Sequence, residues 1–112
     1  MKKVELKNVE EYEAPGHFKM VAMKLHGREE SGIKNFWVGL SHFLPGGGAD
    51  WGVSNFEKVY FVLSGTVTII TPDKKEITLG PTDSLSVPAG EDRYLINREK
   101  TPASMLVIAS YP

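Results

Sequence analysis

Short runs of β-branched and aromatic residues, bounded by glycine or proline, extend along most of the chain. This pattern is typical of strands joined by tight turns, as in an all-β sandwich or barrel. No stretch carries a helical hydrophobic period, so any helix is expected to be a single short turn. The predicted strands are Val4–Leu6, Phe18–His26, Phe36–Leu44, Lys58–Leu63, Thr66–Thr71, Glu76–Leu79, Ser84–Val87, Arg93–Asn97 and Met105–Ser110.

Alternation within the strands predicts which side chains share a face. In Phe36–Leu44 the even-numbered residues are the more apolar, so their face, which includes His42, is predicted to face the core. In Lys58–Leu63 neither face is polar enough to be solvated, and both are expected to be covered. The turn signal Pro45-Gly46-Gly47-Gly48 is predicted to separate two strands.

Composition narrows the classes of function. The chain has 112 residues, which suits one core, and 41% of them are hydrophobic, which argues against a disordered chain. The 13 basic and 14 acidic residues nearly balance, and no basic stripe is present, so nucleic-acid binding is not expected. No apolar run is long enough to span a membrane.

Cysteine is absent, which excludes disulfides, thiolate metal sites and cysteine nucleophiles. The N-terminal segment has two lysines but no apolar run behind them, so it is not interpreted as a signal peptide. A cytoplasmic protein is the simplest expectation.

Two stretches resemble the paired signature of the cupin superfamily. The first extends from Gly46 to Gly65, and the second contains Pro88-Ala89-Gly90 and ends at Asn97. The resemblance implies a double-stranded β-helix, or jelly-roll barrel, formed by residues 1–112 as one domain. In metal-binding cupins, these motifs supply two histidines, a glutamate and a further histidine as metal ligands.

The four ligand positions of that signature fall here on Gly52, Ser54, Lys58 and Arg93. Glycine has no donor atom, serine is a weak neutral ligand, and the two cations repel a metal ion. The sequence therefore predicts no metal and no cofactor. The resemblance also places Lys58 and Arg93 in the mouth of the barrel, where two like charges need a nearby anion. That anion is either a protein carboxylate or a small ligand.

Three functions remain open. The first is a metal-free module that binds a small anionic metabolite, a carboxylate or a phosphate. The second is a metal-independent isomerase, epimerase or lyase that uses proton transfer. The third is a structural protein whose barrel binds nothing. The predicted ligand-binding residues are Arg93, Lys58, Ser54, Trp51 and Asn97, and the candidate catalytic residues are Lys58, Tyr60 and His42.

A homodimer is also predicted. If Lys58 and Tyr60 face inward, Val59, Phe61 and Leu63 form an apolar outer face on the same strand. A second copy of the chain is the expected cover for that face, with the chain's own N-terminal strands as the competing explanation.

Overall fold

The computed structural model describes residues 1–112 and consists almost entirely of antiparallel strands. Strands account for 55% of the residues and helices for 6%, which confirms the predicted all-β class. The strands are β1 (Glu11–Tyr12), β2 (His17–His26), β3 (Phe36–Val53), β4 (Lys58–Ser64), β5 (Val67–Ile70), β6 (Glu76–Leu79), β7 (Ser84–Val87), β8 (Asp92–Ile96) and β9 (Ala103–Ser110). The helices are a 3₁₀ turn, Leu6–Asn8, and α1, Arg28–Ser31. Neither helix has the length or apolar character needed to cross a membrane.

The strands form one sheet in the order β6-β5-β8-β3-β9-β4-β7, which curls into a nearly closed barrel. Strand β2 pairs with β3 along most of its length, and β1 pairs with β2. The first half of β3 pairs with β9 and its second half with β8, so β3 belongs to both walls of the barrel. This double membership brings the start of β4 and the start of β8 to the same end of the barrel.

The glycine segment after Leu44 lies inside β3, contrary to the predicted break between two strands. A Cβ on Gly47 would collide with the carbonyl of Lys19, and a Cβ on Gly48 would collide with the carbonyl of Leu95. The glycines therefore let β3 pass close to its neighbours while it bends from one wall to the other.

The predicted strand Val4–Leu6 is wrong. This segment pairs with no other strand, and the 3₁₀ turn that begins at Leu6 forms local hydrogen bonds instead. Leu6 is 48% exposed, so its side chain contributes little to the core. The only N-terminal pairing is the two-residue β1, which the sequence pattern did not indicate.

The inner face of β3 is the odd-numbered one, so the prediction for Phe36–Leu44 is also wrong. Phe43 is 1% exposed and belongs to the main core with Tyr60, Val62, Leu95 and Met105. The even-numbered residues of β3 belong to an apolar outer surface that extends over β3, β9 and β4. The side chains that share this surface are Val38, Leu40, Ile108, Leu106, Val59 and Phe61.

Candidate functional site

A cavity of about 400 Å³ lies inside the barrel, between β2, β3, β4 and β8. Apolar and aromatic side chains form most of its wall, including Trp37, Phe43 and Phe56. The polar and titratable residues that line it are Tyr12, His17, Lys24, Ser41, Ser54, Lys58, Tyr60 and Arg93. No aspartate or glutamate lines this cavity, so its titratable wall is cationic at neutral pH.

The structure brings together all four positions that the motif spacing had aligned. Gly52 on β3 lies directly opposite Arg93 on β8. Ser54 follows β3, and Lys58 begins β4, so that its ammonium Nζ donates a hydrogen bond to the Ser54 hydroxyl at 3.2 Å. Gly52, Ser54, Lys58 and Arg93 all line the cavity. The sequence alignment of these residues is therefore consistent with the geometry.

Arg93 is 8% exposed and is fixed by two neutral partners. Its Nε donates to the Tyr60 hydroxyl at 2.9 Å, and its Nη1 donates to the Asp50 carbonyl at 2.8 Å. A guanidinium has five N–H donors, so three of them make no hydrogen bond within the protein. A Cβ at Gly52 would lie 3.5 Å from Nη1, in ordinary contact, so Gly52 leaves space beside the guanidinium.

Neither of the two buried cations, Lys58 and Arg93, has a protein counter-ion. All three ion pairs of the protein involve other residues: Lys3 and Lys7 with Glu5, and Arg98 with Glu76. The carboxylates of Asp92, the neighbour of Arg93 in sequence, and of Asp50, whose carbonyl contacts Arg93, bind backbone amides instead. Asp92 accepts a hydrogen bond from the backbone N–H of Arg93, and Asp50 accepts one from that of Trp51. Of the two alternatives for the compensating anion, the structure does not support a protein carboxylate.

Lys58 is 8% exposed and lies against aromatic rings. Its Nζ is 5.7 Å from the ring centre of Tyr60 and 5.9 Å from that of Phe56. Burial, together with the positive charge of Arg93, lowers the pKa of Lys58 to about 8. A substantial fraction of this amine is therefore neutral in mildly alkaline solution, unlike that of an ordinary lysine.

Tyr60 is 3% exposed and lies next to both cations, because its hydroxyl accepts from Arg93 and its ring is near Lys58 Nζ. Burial raises the pKa of its phenol, while the charge and the hydrogen bond of Arg93 act in the opposite direction. The phenol is protonated at neutral pH, and because its oxygen accepts from Arg93, its own O–H is free to donate into the cavity.

His17 is a cavity residue that the sequence pattern did not identify. Its Nδ1 lies 2.9 Å from the Pro15 carbonyl, which accepts only, so Nδ1 carries the proton and Nε2 is free. Burial, with smaller contributions from Arg93 and Lys58, lowers the pKa of His17. A bulge at Lys19, where φ is +48°, reverses the alternation of β2. Simple alternation from the buried Ala22 would have turned His17 outward.

Three of the predicted site residues lie away from the cavity. His42 is on the outer face of β3, where its Nδ1 is 2.6 Å from the Ser104 hydroxyl. Trp51 is 46% exposed, because a bulge between Ala49 and Gly52 turns it outward against the ring of Tyr94.

Asn97 is fully buried and serves the backbone. Its amide donates to the carbonyls of Phe43, Leu44 and Thr101, and its Oδ1 accepts from the N–H of Glu99. Every polar atom of Asn97 is used, so the prediction that Asn97 binds a ligand is wrong. Trp51, predicted to bind a ligand, and His42, predicted to be catalytic, also lie outside the cavity.

The donor set does not fit a metal ion. Gly52 contributes no donor, Ser54 contributes one neutral hydroxyl, and Lys58 and Arg93 are cations at neutral pH. No group of three or more histidine, aspartate or glutamate side chains gathers anywhere in the structure in an arrangement that could hold a metal. A metal mechanism therefore cannot be transferred from the fold to this cavity.

Comparison with known proteins places the chain in a family. Residues 39–109 match the cupin domain. A protein named beta-D-galactosidase Rv1717, from Mycobacterium tuberculosis, is 41% identical over 101 residues, covering 90% of this chain and 86% of that protein. The barrel, the motif glycines and these matches agree, and the chain belongs to the cupin family.

Solved structures share the barrel at lower identity. The polyketide cyclase RemF from Streptomyces resistomycificus superposes with a TM-score of 0.87 and 23% identity, covering 98% of this chain and 79% of that one. A sugar phosphate isomerase of the cupin superfamily from Silicibacter pomeroyi superposes with a TM-score of 0.80 and 21% identity, covering 99% and 76%. These likenesses confirm the predicted cupin-type barrel and concern the fold alone.

Proposed function

We propose that this cupin binds one small anionic molecule, a carboxylate or a phosphate, inside the barrel without a metal ion. The observation that carries the proposal is the pair of buried cations, Lys58 and Arg93, neither of which forms an ion pair with a carboxylate. Desolvated charges of one sign are costly, and a ligand of opposite charge removes that cost. A barrel that served only as a structural element would gain stability from neutral residues at both positions.

The charged residues of the cavity suit the anionic group of a ligand, and its aromatic residues suit the carbon skeleton. Arg93 offers a planar set of donors that suits a bidentate carboxylate or phosphate, and Lys58 adds a point charge. The Ser54 hydroxyl supplies a neutral hydrogen bond beside Lys58. Trp37 and Phe56 form apolar walls for the carbon skeleton of the ligand.

Thermal unfolding with matched ligands tests the proposal. The probes are pyruvate, inorganic phosphate, and the pair galacturonate and galactose, which differ by a carboxylate. At about ten times its dissociation constant, a bound ligand contributes about 1.4 kcal/mol and raises the Tm by several degrees. We expect an anion to do this with the wild type and to lose the effect with Arg93→Ala. If no anion raises the Tm, or if galactose acts as well as galacturonate, anion recognition is refuted.

A second candidate is carbohydrate chemistry, favoured by the 41% identity to the protein named as a galactosidase. Hydrolysis of glycosides generally uses two carboxylic residues, one as the acid and one as the nucleophile or base. The cavity wall offers neither, so it supports anion binding better than glycoside hydrolysis. Release of p-nitrophenol from p-nitrophenyl β-D-galactoside, lost in Tyr60→Phe or His17→Gln, would favour it over simple binding.

Proton-transfer catalysis is compatible with the first proposal, with one of the three expected residues replaced. His42 is outside the cavity, so the available groups are Lys58, Tyr60 and His17. The lowered pKa of His17 favours its neutral form, which can accept a proton at Nε2, and the raised pKa of Tyr60 favours the protonated phenol, which can donate one. An isomerase or lyase acting on the bound anion would combine these groups.

A further inference from the structure

Lys58 combines three features of an amine nucleophile. It is buried, it lines a cavity large enough for a small organic molecule, and no acidic group pairs with it. Its one hydrogen-bond partner is the Ser54 hydroxyl, which leaves the nitrogen accessible from the cavity. A lysine in an apolar pocket beside another cation is the usual setting in which an amine attacks a carbonyl carbon.

We propose that Lys58 forms a covalent imine with an oxo acid, a small molecule that carries both a carbonyl group and a carboxylate. Arg93 holds the carboxylate, and Lys58, in the same cavity, reaches the carbonyl carbon. The inference rests on the proposed function, because it assumes that the anion binds to Arg93, and it names the reactive group that the anion carries.

Imine formation needs no reactant other than the oxo acid and releases one water molecule. The lone pair of the neutral Nζ attacks the carbonyl carbon, and the π electrons of the C=O bond move to oxygen, giving a carbinolamine. The nitrogen then forms the C=N bond as the C–O bond breaks. The two hydrogens of the amine leave with that oxygen as one water molecule. The Tyr60 phenol and the free Nε2 of His17 lie in the same cavity to carry these protons.

The environment of Lys58 favours the neutral amine that this attack needs. The charged and titratable groups that line the cavity with it are Tyr12 from β1, His17 and Lys24 from β2, Tyr60 from β4 and Arg93 from β8. No carboxylate stands among them to stabilise the ammonium. Burial and Arg93 accordingly lower the pKa of Lys58, by the effects that activate lysine nucleophiles elsewhere.

Trapping with cyanoborohydride tests the imine, because this reagent reduces C=N to a stable secondary amine. The wild-type protein is incubated with pyruvate or levulinate, in which different lengths of carbon chain separate the carbonyl from the carboxylate. Intact-mass measurement and peptide mapping then locate the adduct. We expect one adduct per chain, at Lys58, forming with a pH midpoint near 8 rather than that of ordinary lysines.

Matched variants separate specific from adventitious labelling. Lys58→Arg keeps the charge and removes the adduct, while Lys100→Arg, at an exposed site, leaves it unchanged. Arg93→Ala raises the pKa of Lys58 and so slows trapping by any carbonyl compound, but we expect it to slow trapping by pyruvate about tenfold or more beyond its effect on acetone, which has no carboxylate. Labelling spread over several lysines, or labelling that persists in Lys58→Arg, overturns the inference.

Lactate distinguishes failure of this inference from failure of the proposed function, because it has the carboxylate but no carbonyl. If lactate raises the Tm of the wild type and pyruvate yields no adduct at Lys58, imine formation is wrong and anion binding stands. If neither lactate, pyruvate nor levulinate raises the Tm and no adduct forms, the anion site itself is wrong for this class of ligand.

Discussion

Replacing Lys58 by methionine should stabilise the protein in the absence of ligand. The side chain is 8% exposed, and its charge is opposed by burial and by Arg93. Lowering its pKa from 10.5 to about 8 corresponds to about 3 kcal/mol of destabilisation of the charged form, at roughly 1.4 kcal/mol per pH unit. Methionine fills a similar volume without a charge, although it loses the hydrogen bond to Ser54. We therefore expect a net gain of about 1–3 kcal/mol at pH 7.

The stability difference between the Lys58→Met variant and the wild type should depend on pH, whereas a difference caused by packing alone would not. Because the pKa of Lys58 is lower in the folded state, the unfolded chain binds more protons between pH 8 and pH 10.5. The wild type therefore gains stability from Lys58 as the pH rises through that window. The methionine variant has no such gain, so its advantage is largest below pH 8 and shrinks as the pH approaches 10.5.

Urea unfolding of both proteins at neutral and alkaline pH measures this difference. Lys100→Met is the matched control, because Lys100 is exposed and its loss should leave the difference from wild type small and independent of pH. A Lys58→Met variant that is less stable than wild type at pH 7 would refute the reasoning, since it would mean that Lys58 has a stabilising partner. An advantage that does not change with pH would refute it as well.

Two further predictions concern the fold around the cavity. Asn97→Ala should lower stability by at least about 1–3 kcal/mol, because it strips buried carbonyls of their donor, and should leave the anion-induced rise in Tm unchanged; a neutral effect in urea unfolding would contradict this. The double variant Val59→Lys with Ile108→Lys should convert a dimer into a monomer, because these residues lie opposite each other on the apolar outer face at 37% and 36% exposure. Light scattering tests this, and a monomeric wild type would remove the predicted dimer.

The shared location of Lys58 and Arg93 was predictable from the sequence because motif spacing and strand alternation indicate it independently. The motif spacing places Lys58 and Arg93 at positions that share one site, and undisturbed alternation along β4 puts Lys58 with Tyr60 on the inner face. The bulge on β4 comes only after Val62, and the extra residue in the β3–β8 pair lies on β3, so neither changes the side on which Lys58 or Arg93 lies. Local pattern and global fold therefore agree at this point of the chain.

The residues that sequence reasoning misplaced lie where a strand departs from simple alternation. His17 and Trp51 each sit beside a bulge that changes which face a side chain takes. His42 was misplaced for a different reason, since the outer face of β3 is as apolar as the inner one. The inner face carries Ser41, which lines the cavity, whereas the outer face is apolar and continues across Ile108 and Val59. Hydrophobicity alone therefore does not show which of the two faces is the inner one.

The substituted motif retains positive charge at the place where the resemblance expects a metal ion. In metal-binding cupins a cation held by histidines and a glutamate would occupy this end of the barrel. Here Lys58 and Arg93 project from the corresponding strand positions, and the absence of a side chain at Gly52 leaves space beside the guanidinium. An anionic ligand therefore meets positive charge in either arrangement. The difference is chemical: a metal polarises a ligand as a Lewis acid, whereas a buried amine can also attack it as a nucleophile.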